Sequence, residues 1–335
     1  MARLKFLMSL LMQENPYQQQ HASTARQIAG ERGVDLEVFF ANNDAITQSE
    51  QLLKAIQAPK DSRPDGIICA PVGTVLSQVA HAAVARGISW AVLNREVDYL
   101  TALRQGSQVP VFAVSSNHES IGTIQGRQIA ALLPDGGLVL YILGPTTNSI
   151  AQRRLNAILA AKPDNIEIRT LIGDWTEASG YRAVSRWLQL RTSHDRPVGV
   201  LAAQNDDMAL GARRAFEEKI GAHEKDRWQG LAYVGCDCCP GAGRDWVDRG
   251  LFTSSVINPP TGGVALDMMI RAIQTKAQPQ ESTTLPAKSY PEIDRLEPNP
   301  LYRPQLQSTR NTGIHVAPAL NSAAARGVGA PGAKP

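Results

Sequence analysis

From Leu4 to about Ser255 the chain alternates short apolar runs with amphipathic stretches of helical period. The runs that read as strands are LKFLMSLL (4–11), DLEVFFA (35–41), DGIICAP (65–71), SWAVLN (89–94), VFAVS (111–115), LVLYILG (138–144), IEIRTLI (166–172), VGVLAA (198–203), LAYVGC (231–236) and FTSSVI (252–257). Between them, stretches such as YQQQHASTARQIAGER, HESIGTIQGRQIAALL and DMALGARRAFEEK space their apolar positions as helices do. Nearly continuous apolar strands joined by helices predict an α/β protein with parallel sheets covered on both faces. Ten strands are too many for one comfortable open sheet, so the pattern predicts two doubly wound lobes with a cleft between them. In open parallel sheets ligands bind beyond the carboxyl ends of the strands, so polar residues there are the first candidates for function.

Composition narrows the classes. A chain of 335 residues with 43% apolar positions can fill two cores, and a net charge of +3 spread along it leaves no nucleic-acid footprint. No apolar run nears the roughly 20 residues that cross a bilayer. FLMSLLM (6–12) follows Arg3 and Lys5, but without a small-x-small site behind it we read it as the first strand, not a signal peptide. Cys236, Cys238 and Cys239 are too close to bridge one another in ordinary geometry, and with Cys69 they miss the spacing of a zinc site. Neither a disulfide framework, a metal nor a cofactor is expected. Residues 297–335 hold six prolines and little periodicity and are expected to be a disordered tail; GVGAPG (327–332) matches a dinucleotide fingerprint by accident, because no strand precedes it.

The predicted strand ends carry Asn15 and Tyr17, Asn94 and Arg95, Trp175, Asn205, Asp237, and Asn258. Amides, a carboxylate and a guanidinium meet hydroxyls that both donate and accept, while aromatic rings cover C–H faces, so the set suits a sugar or polyol. Each residue also has a plainer use. Asp206 or Asp207 is expected to cap the helix starting at Met208, Asn205 is turn chemistry as readily as a ligand contact, Tyr17 and Trp175 singly suit a core, and Arg95 has Glu96 and Asp98 to pair with. Their joint recurrence at strand ends favours a binding cleft.

With ENPY (14–17), PDGIICAPV (64–72), GISWAVLNR (87–95), AAQNDDMALGA (202–212), LAYVGCDCCPGA (231–242) and GLFTSSVINPPTGG (250–263), the chain resembles the type I periplasmic sugar-binding proteins, the ribose-binding group especially, and the related ligand-binding domains of lactose-repressor-type regulators. The resemblance covers roughly residues 4–296. It implies two Rossmann-like lobes, 1–116 with 259–286 and 117–258 with 287–296, joined by a three-stranded hinge. It also implies ligand contacts at Asn15, Tyr17, Asn94, Arg95, Trp175, Asn205, Asp237 and Asn258. Gln18 stands where a second aromatic is common, Asn94 where Asp is common, and in GPTTNSIAQRR the family's arginine falls on Gln152, with Arg153 beside it. Loss of a carboxylate and a guanidinium argues against ribose itself and for another monosaccharide, a polyol or a sugar-like molecule.

The reading is therefore a solute-binding protein, not an enzyme, that holds a small carbohydrate or polyol by hinge closure and presents it, as a monomer, to an ABC transporter permease or a membrane sensor. No nucleophile elbow, phosphate loop or metal-spaced histidine pair supports catalysis. The alternative is a ligand-sensing regulatory domain lacking its own DNA-binding module. The resemblance implies the periplasm or cell envelope, whereas the free thiols and a strand beginning at Leu4 imply the cytoplasm if Met1 is the true start.

Overall fold

The structure, a computed structural model, describes residues 3–193, 197–219, 228 and 230–299. All ten predicted strands form: β1 (Lys5–Leu10), β2 (Asp35–Phe40), β3 (Gly66–Cys69), β4 (Ser89–Leu93), β5 (Val111–Ser116), β6 (Gly137–Leu143), β7 (Ile166–Ile172), β8 (Val198–Ala203), β9 (Ala232–Asp237) and β10 (Ser254–Ile257). Two short strands, β11 (Ser282–Leu285) and β12 (Lys288–Tyr290), were not legible in the apolar pattern. The helices are α1 (Pro16–Arg32), α2 (Ala45–Gln57), α3 (Ser77–Ala85), α4 (Leu100–Gln105), α5 (His118–Leu132), α6 (Ser149–Ala161), α7 (Glu177–Leu188), α8 (Asp206–Lys219), α9 (Gly243–Asp248) and α10 (Gly262–Thr275).

The strands form two six-stranded sheets, ordered β11-β5-β4-β3-β1-β2 and β12-β10-β9-β8-β6-β7. The chain passes between them three times: after β5, after β10, and from β11 to β12. Pairing is parallel, as expected, except between β10 and β12, so the second sheet is mixed at that edge. The cause is the third passage. Only two residues separate β11 from β12, so the chain enters the second sheet without a helix to turn it round, and runs against β10.

The inner strands of each sheet are buried on both faces, as their apolar runs require, while the edge strands β2 and β7 are partly exposed. In the second sheet Leu138, Leu140 and Ile142 pack with Trp187, Phe216 and Trp228, while Val139, Tyr141 and Leu143 pack with Ile129 and Ile158 behind them. In the first, Met8, Leu10 and Ile68 face the side of α1 and α10, while Leu7, Ile67 and Trp90 face α2 and α3. Of the tail predicted to be disordered, residues 300–335 lie outside the described residues. Asn299 is docked instead: its amide donates to the carbonyls of Gly199 (3.0 Å) and Gly230 (2.5 Å), and its backbone N–H to Leu132.

Helices α7 and α8 approach so closely that a Cβ at Gly211 would lie 1.9 Å from the backbone oxygen of Glu177. Gly30, on the exposed side of α1, has open space around it. The same substitution should therefore have opposite signs at the two sites. Gly211→Ala should lower unfolding free energy by about 1–3 kcal/mol through overpacking, and Gly30→Ala should raise it by about 0.5–1 kcal/mol through helix propensity. Urea midpoints compared at constant slope measure both; a Gly211→Ala midpoint at or above the parent's would contradict the close approach.

Candidate functional site

The carboxyl ends of strands from both sheets open into one cavity of about 480 Å³, within the range of small-molecule sites. Of the predicted residues, Asn15, Tyr17, Gln18, Asn94 and Arg95 line it from the first sheet's side, and Trp175, Asn205, Asp237 and Asn258 from the second's. Gln152 and Arg153 do not line it.

The first wall is held by side chains that serve structure and cleft together. Asn15 caps α1, its Oδ1 accepting from Gln18 N–H at 3.0 Å, and its Nδ2 reaches across the cleft to Asp207 Oδ2 at 3.1 Å. Tyr17 is buried against Cys239, Ala242 and Trp246 of the opposite wall. Its hydroxyl donates to the carbonyl of Pro259, lies 3.2 Å from Ser116 Oγ and accepts from Asn94 Nδ2 at 3.0 Å. Burial pushes the phenol upward, so it stays protonated. Gln18 is inward too, but its Oε1 is engaged by Leu11 N–H at 3.1 Å. Arg95 donates to the carbonyl of Gly73 at 2.9 Å and leaves Glu96 to Arg153. Below this wall the buried His21 accepts from the N–H groups of Thr261 and Gly262, fixing the start of α10; burial lowers its imidazole to about 3, so it is neutral.

On the second wall the helix register decides which side chain enters. Asn148 caps α6, and from that start Gln152 folds back to the carbonyl of Thr146 while Arg153 pairs with Glu96 and Glu119. Arg154, one position further and about 100° round the helix, is the guanidinium in the cavity. It is only 4% exposed. It donates to the Gln204 carbonyl at 2.5 Å and to Cys236 Sγ at 3.4 Å, and its other terminal nitrogen lies 3.5 Å from His118 Nδ1. The guanidinium sits 5.9 Å from the Trp175 ring centroid, within reach of its π-face. Its Nε is buried without a partner among the described residues.

The acidic turn also departs from expectation. Asn205, not Asp206 or Asp207, caps α8, with Oδ1 accepting from Met208 N–H at 3.1 Å while Nδ2 donates to the Trp175 carbonyl at 2.9 Å. Asp206 is buried behind the cavity, accepting from Ser255 Oγ at 2.7 Å and Cys238 N–H at 2.6 Å; burial and the charge of Asp237 hold its carboxyl well above the usual range. Asp207 lines the cavity, and burial, then Asp237 and Glu177, raise it to about 7. Burial raises Asp237 to about 6 against the opposing pull of Arg154, and its Oδ1 accepts from Asn258 Nδ2 at 2.9 Å. Asn258 Oδ1 is buried with no partner among the described residues.

Sequence reasoning missed Arg154, Asp207, His118 and Trp246, all of which line the cavity. A register count from the Asn148 cap would have found Arg154. The other three owe their place to contacts distant in sequence. The four cysteines are free and buried. Among the described residues, no group of three or more His, Cys, Asp or Glu side chains is placed to hold a metal ion.

The chain was compared with known proteins. A putative rhizopine-binding protein of Rhizobium meliloti is 31% identical over 191 residues, 55% of this chain and 58% of that one. A D-apiose import binding protein of Paraburkholderia graminis is 25% identical over 208 residues, 61% and 62% of the two. The matches thus span less than two thirds of either relative. In fold, the chain is similar to an ABC transporter periplasmic solute binding protein from Actinobacillus succinogenes solved with bound D-allose (TM-score 0.74, 18% identity, 88% of this chain and 99% of that one). The model of the periplasmic binding protein domain matches residues 6–277, and the chain belongs to that family.

Proposed function

We propose that the protein is a solute-binding protein that holds a small carbohydrate or polyol in the cleft between its two sheets and hands it to a membrane transporter or sensor. The observation that carries this reading is a pair of complementary groups on two residues that line the cavity, buried and without a partner among the described residues: Arg154 Nε, a donor, and Asn258 Oδ1, an acceptor. Groups of this kind cost about 1–3 kcal/mol each when left without a partner. A hydroxyl offers both roles at once. Trp175, Tyr17 and Trp246 supply apolar surface beside them for ring C–H faces.

Residues 3–116 with 259–286, and 117–258 with 287–296, act in this reading as the two moving bodies, and the three passages between the sheets as the hinge. Few hydrogen bonds join the walls directly; Asn15 to Asp207 is one. A guest that touches both walls would favour the closed state by its difference in affinity for the two states. The names of the relatives, an import binding protein and an ABC transporter solute binding protein among them, support delivery to a transporter and a place in the cell envelope.

Isothermal titration and thermal shift with D-allose, D-apiose, other pentoses and hexoses, and cyclic and linear polyols test the reading. At least one should bind saturably, raise the melting temperature and be recovered unchanged. Asn258→Ala should weaken that ligand by about 5- to 10-fold, the worth of roughly 1 kcal/mol of hydrogen bonding. Silence across the whole panel would sink the reading. Small-angle scattering should also register a smaller radius of gyration in the bound form, and an unchanged radius would remove hinge closure from it.

A further inference from the structure

The acids and bases lining the cavity are unequally neutralised. Asp174 is paired with Arg182 and Glu177 with Arg214, while Glu14 is exposed at the rim. Arg154 is set against Asp237 through space and donates to Cys236 Sγ. Asp207 remains. Among the described residues it has no ion-pair partner, and its one hydrogen bond is from the neutral amide of Asn15. The acids that raise it are Asp237 at the end of β9 and Glu177 at the start of α7, and it in turn helps to raise its neighbour Asp206. Asp237 faces Arg154 on α6 and Asp206, and also touches Asn258 and Cys236. Arg154 thus acts on Asp237, while among the described residues no cation is set against Asp207.

Beside them is Asn258, 3% exposed, with an unpartnered oxygen. Its orientation is fixed, because turning the amide over would set an oxygen against the Asp237 carboxylate that its Nδ2 now serves. Asp207 and Asp237 therefore line the cavity with acceptors beside the unpartnered, buried oxygen of Asn258, a set that calls for N–H donors and, at Asp207, for positive charge. A hydroxyl can satisfy the amide oxygen but leaves the carboxylate field uncompensated. An ammonium has donors only and compensates it.

Resting on the binding reading above, we infer that the cleft selects a polyhydroxylated ligand bearing a protonated amine, held by Asp207 and Asp237 with Asn258 Oδ1. The hydroxyl face of such a ligand meets Arg154 Nε, and its ring meets the aromatic side chains, so one guest would satisfy both kinds of vacant partner. Its charge would also draw the two carboxylates to their ionised forms. Free, these titrate at about 7 and about 6, so binding of a cation should fade as pH falls through that range.

The test is titration of the full chain with matched pairs that differ by one group: D-glucosamine and D-glucose, 2-amino-2-deoxy-D-allose and D-allose, an aminocyclitol and its parent cyclitol. At least one amine should bind about tenfold or more tightly than its hydroxyl parent near pH 7.5. That advantage should shrink on going to pH 5.5, and in Asp207→Asn the gap between amine and parent should close. Hydroxyl parents binding as tightly as their amines in every pair would overturn the charge inference and leave the polyol reading standing. No binding by any member of any pair would overturn both. An amine preference that survives Asp207→Asn unchanged would overturn the assignment to Asp207. Because the pair comparison runs on the unmodified protein, it stands even if the variant folds poorly.

Discussion

A guanidinium buried at the mouth of the second sheet sets the terms for everything around it. Arg154 has left most of its water behind, and a charge in that position is tolerable only if neighbours replace the lost hydration. The Gln204 carbonyl and Cys236 do so directly, and Asp237 does so through space. Each demand constrains another residue. Gln204 must hold its own side chain between Gly144 N–H and the Ala151 carbonyl. Asp237 in turn fixes Asn258, and Trp175 covers the guanidinium at the distance of a cation–π contact. Gly144 and Gly122 make the arrangement sterically feasible: a Cβ at the first would lie 2.0 Å from the Trp175 ring, and at the second 2.3 Å from the Arg154 carbonyl.

Backbone geometry at the strand ends follows the same logic. Asn94, Trp175, Asp237 and Cys238 all have positive φ, a left-handed conformation that costs a non-glycine residue roughly 1–3 kcal/mol when the surroundings impose it. All four stand where a strand leaves its sheet, and the first three line the cavity. The local bonds that hold them are of the kind that over-determine a strained turn: Ser116 N–H on Asn94 Oδ1, Asn205 Nδ2 on the Trp175 carbonyl, Asp206 on Cys238 N–H. The strain is spent at the cleft, and the buried carboxylate behind it is what sustains it.

The frame of the molecule was legible because parallel strands buried on both faces must be apolar almost without interruption, as β3, β4, β6 and β8 are. β11 and β12 were not, since STTL and KSY are short, partly exposed strands whose role is to carry the chain from one sheet to the other. Strand-end positions were legible for a similar reason, a polar residue after an apolar run having few places to go but the loop beyond the sheet. Helix-borne positions were harder. An error of one residue on α6 exchanges a solvent ion pair at Arg153 for a buried charge at Arg154. At the start of α8 the acidic pair looked like the cap, yet Asn205 both caps the helix and anchors Trp175, and so frees Asp206 for the interior and Asp207 for the cleft. Residues with two local uses can be told apart only by the partner that arrives from another part of the chain.

That division of labour bears on how the two halves come together. The walls meet through the packing of Tyr17 on Cys239 and Ala242, through the ion pair of Arg153 with Glu96, and through a hydrogen bond from a neutral amide to a carboxylate raised toward neutrality. Such a bond is weaker when the acid is protonated and stronger when it is ionised, but ionisation without a counter-charge is what burial and the neighbouring acids oppose. The apposition of the walls and the charge state of Asp207 are therefore linked: whatever neutralises the carboxylate as an anion also strengthens the contact across the gap.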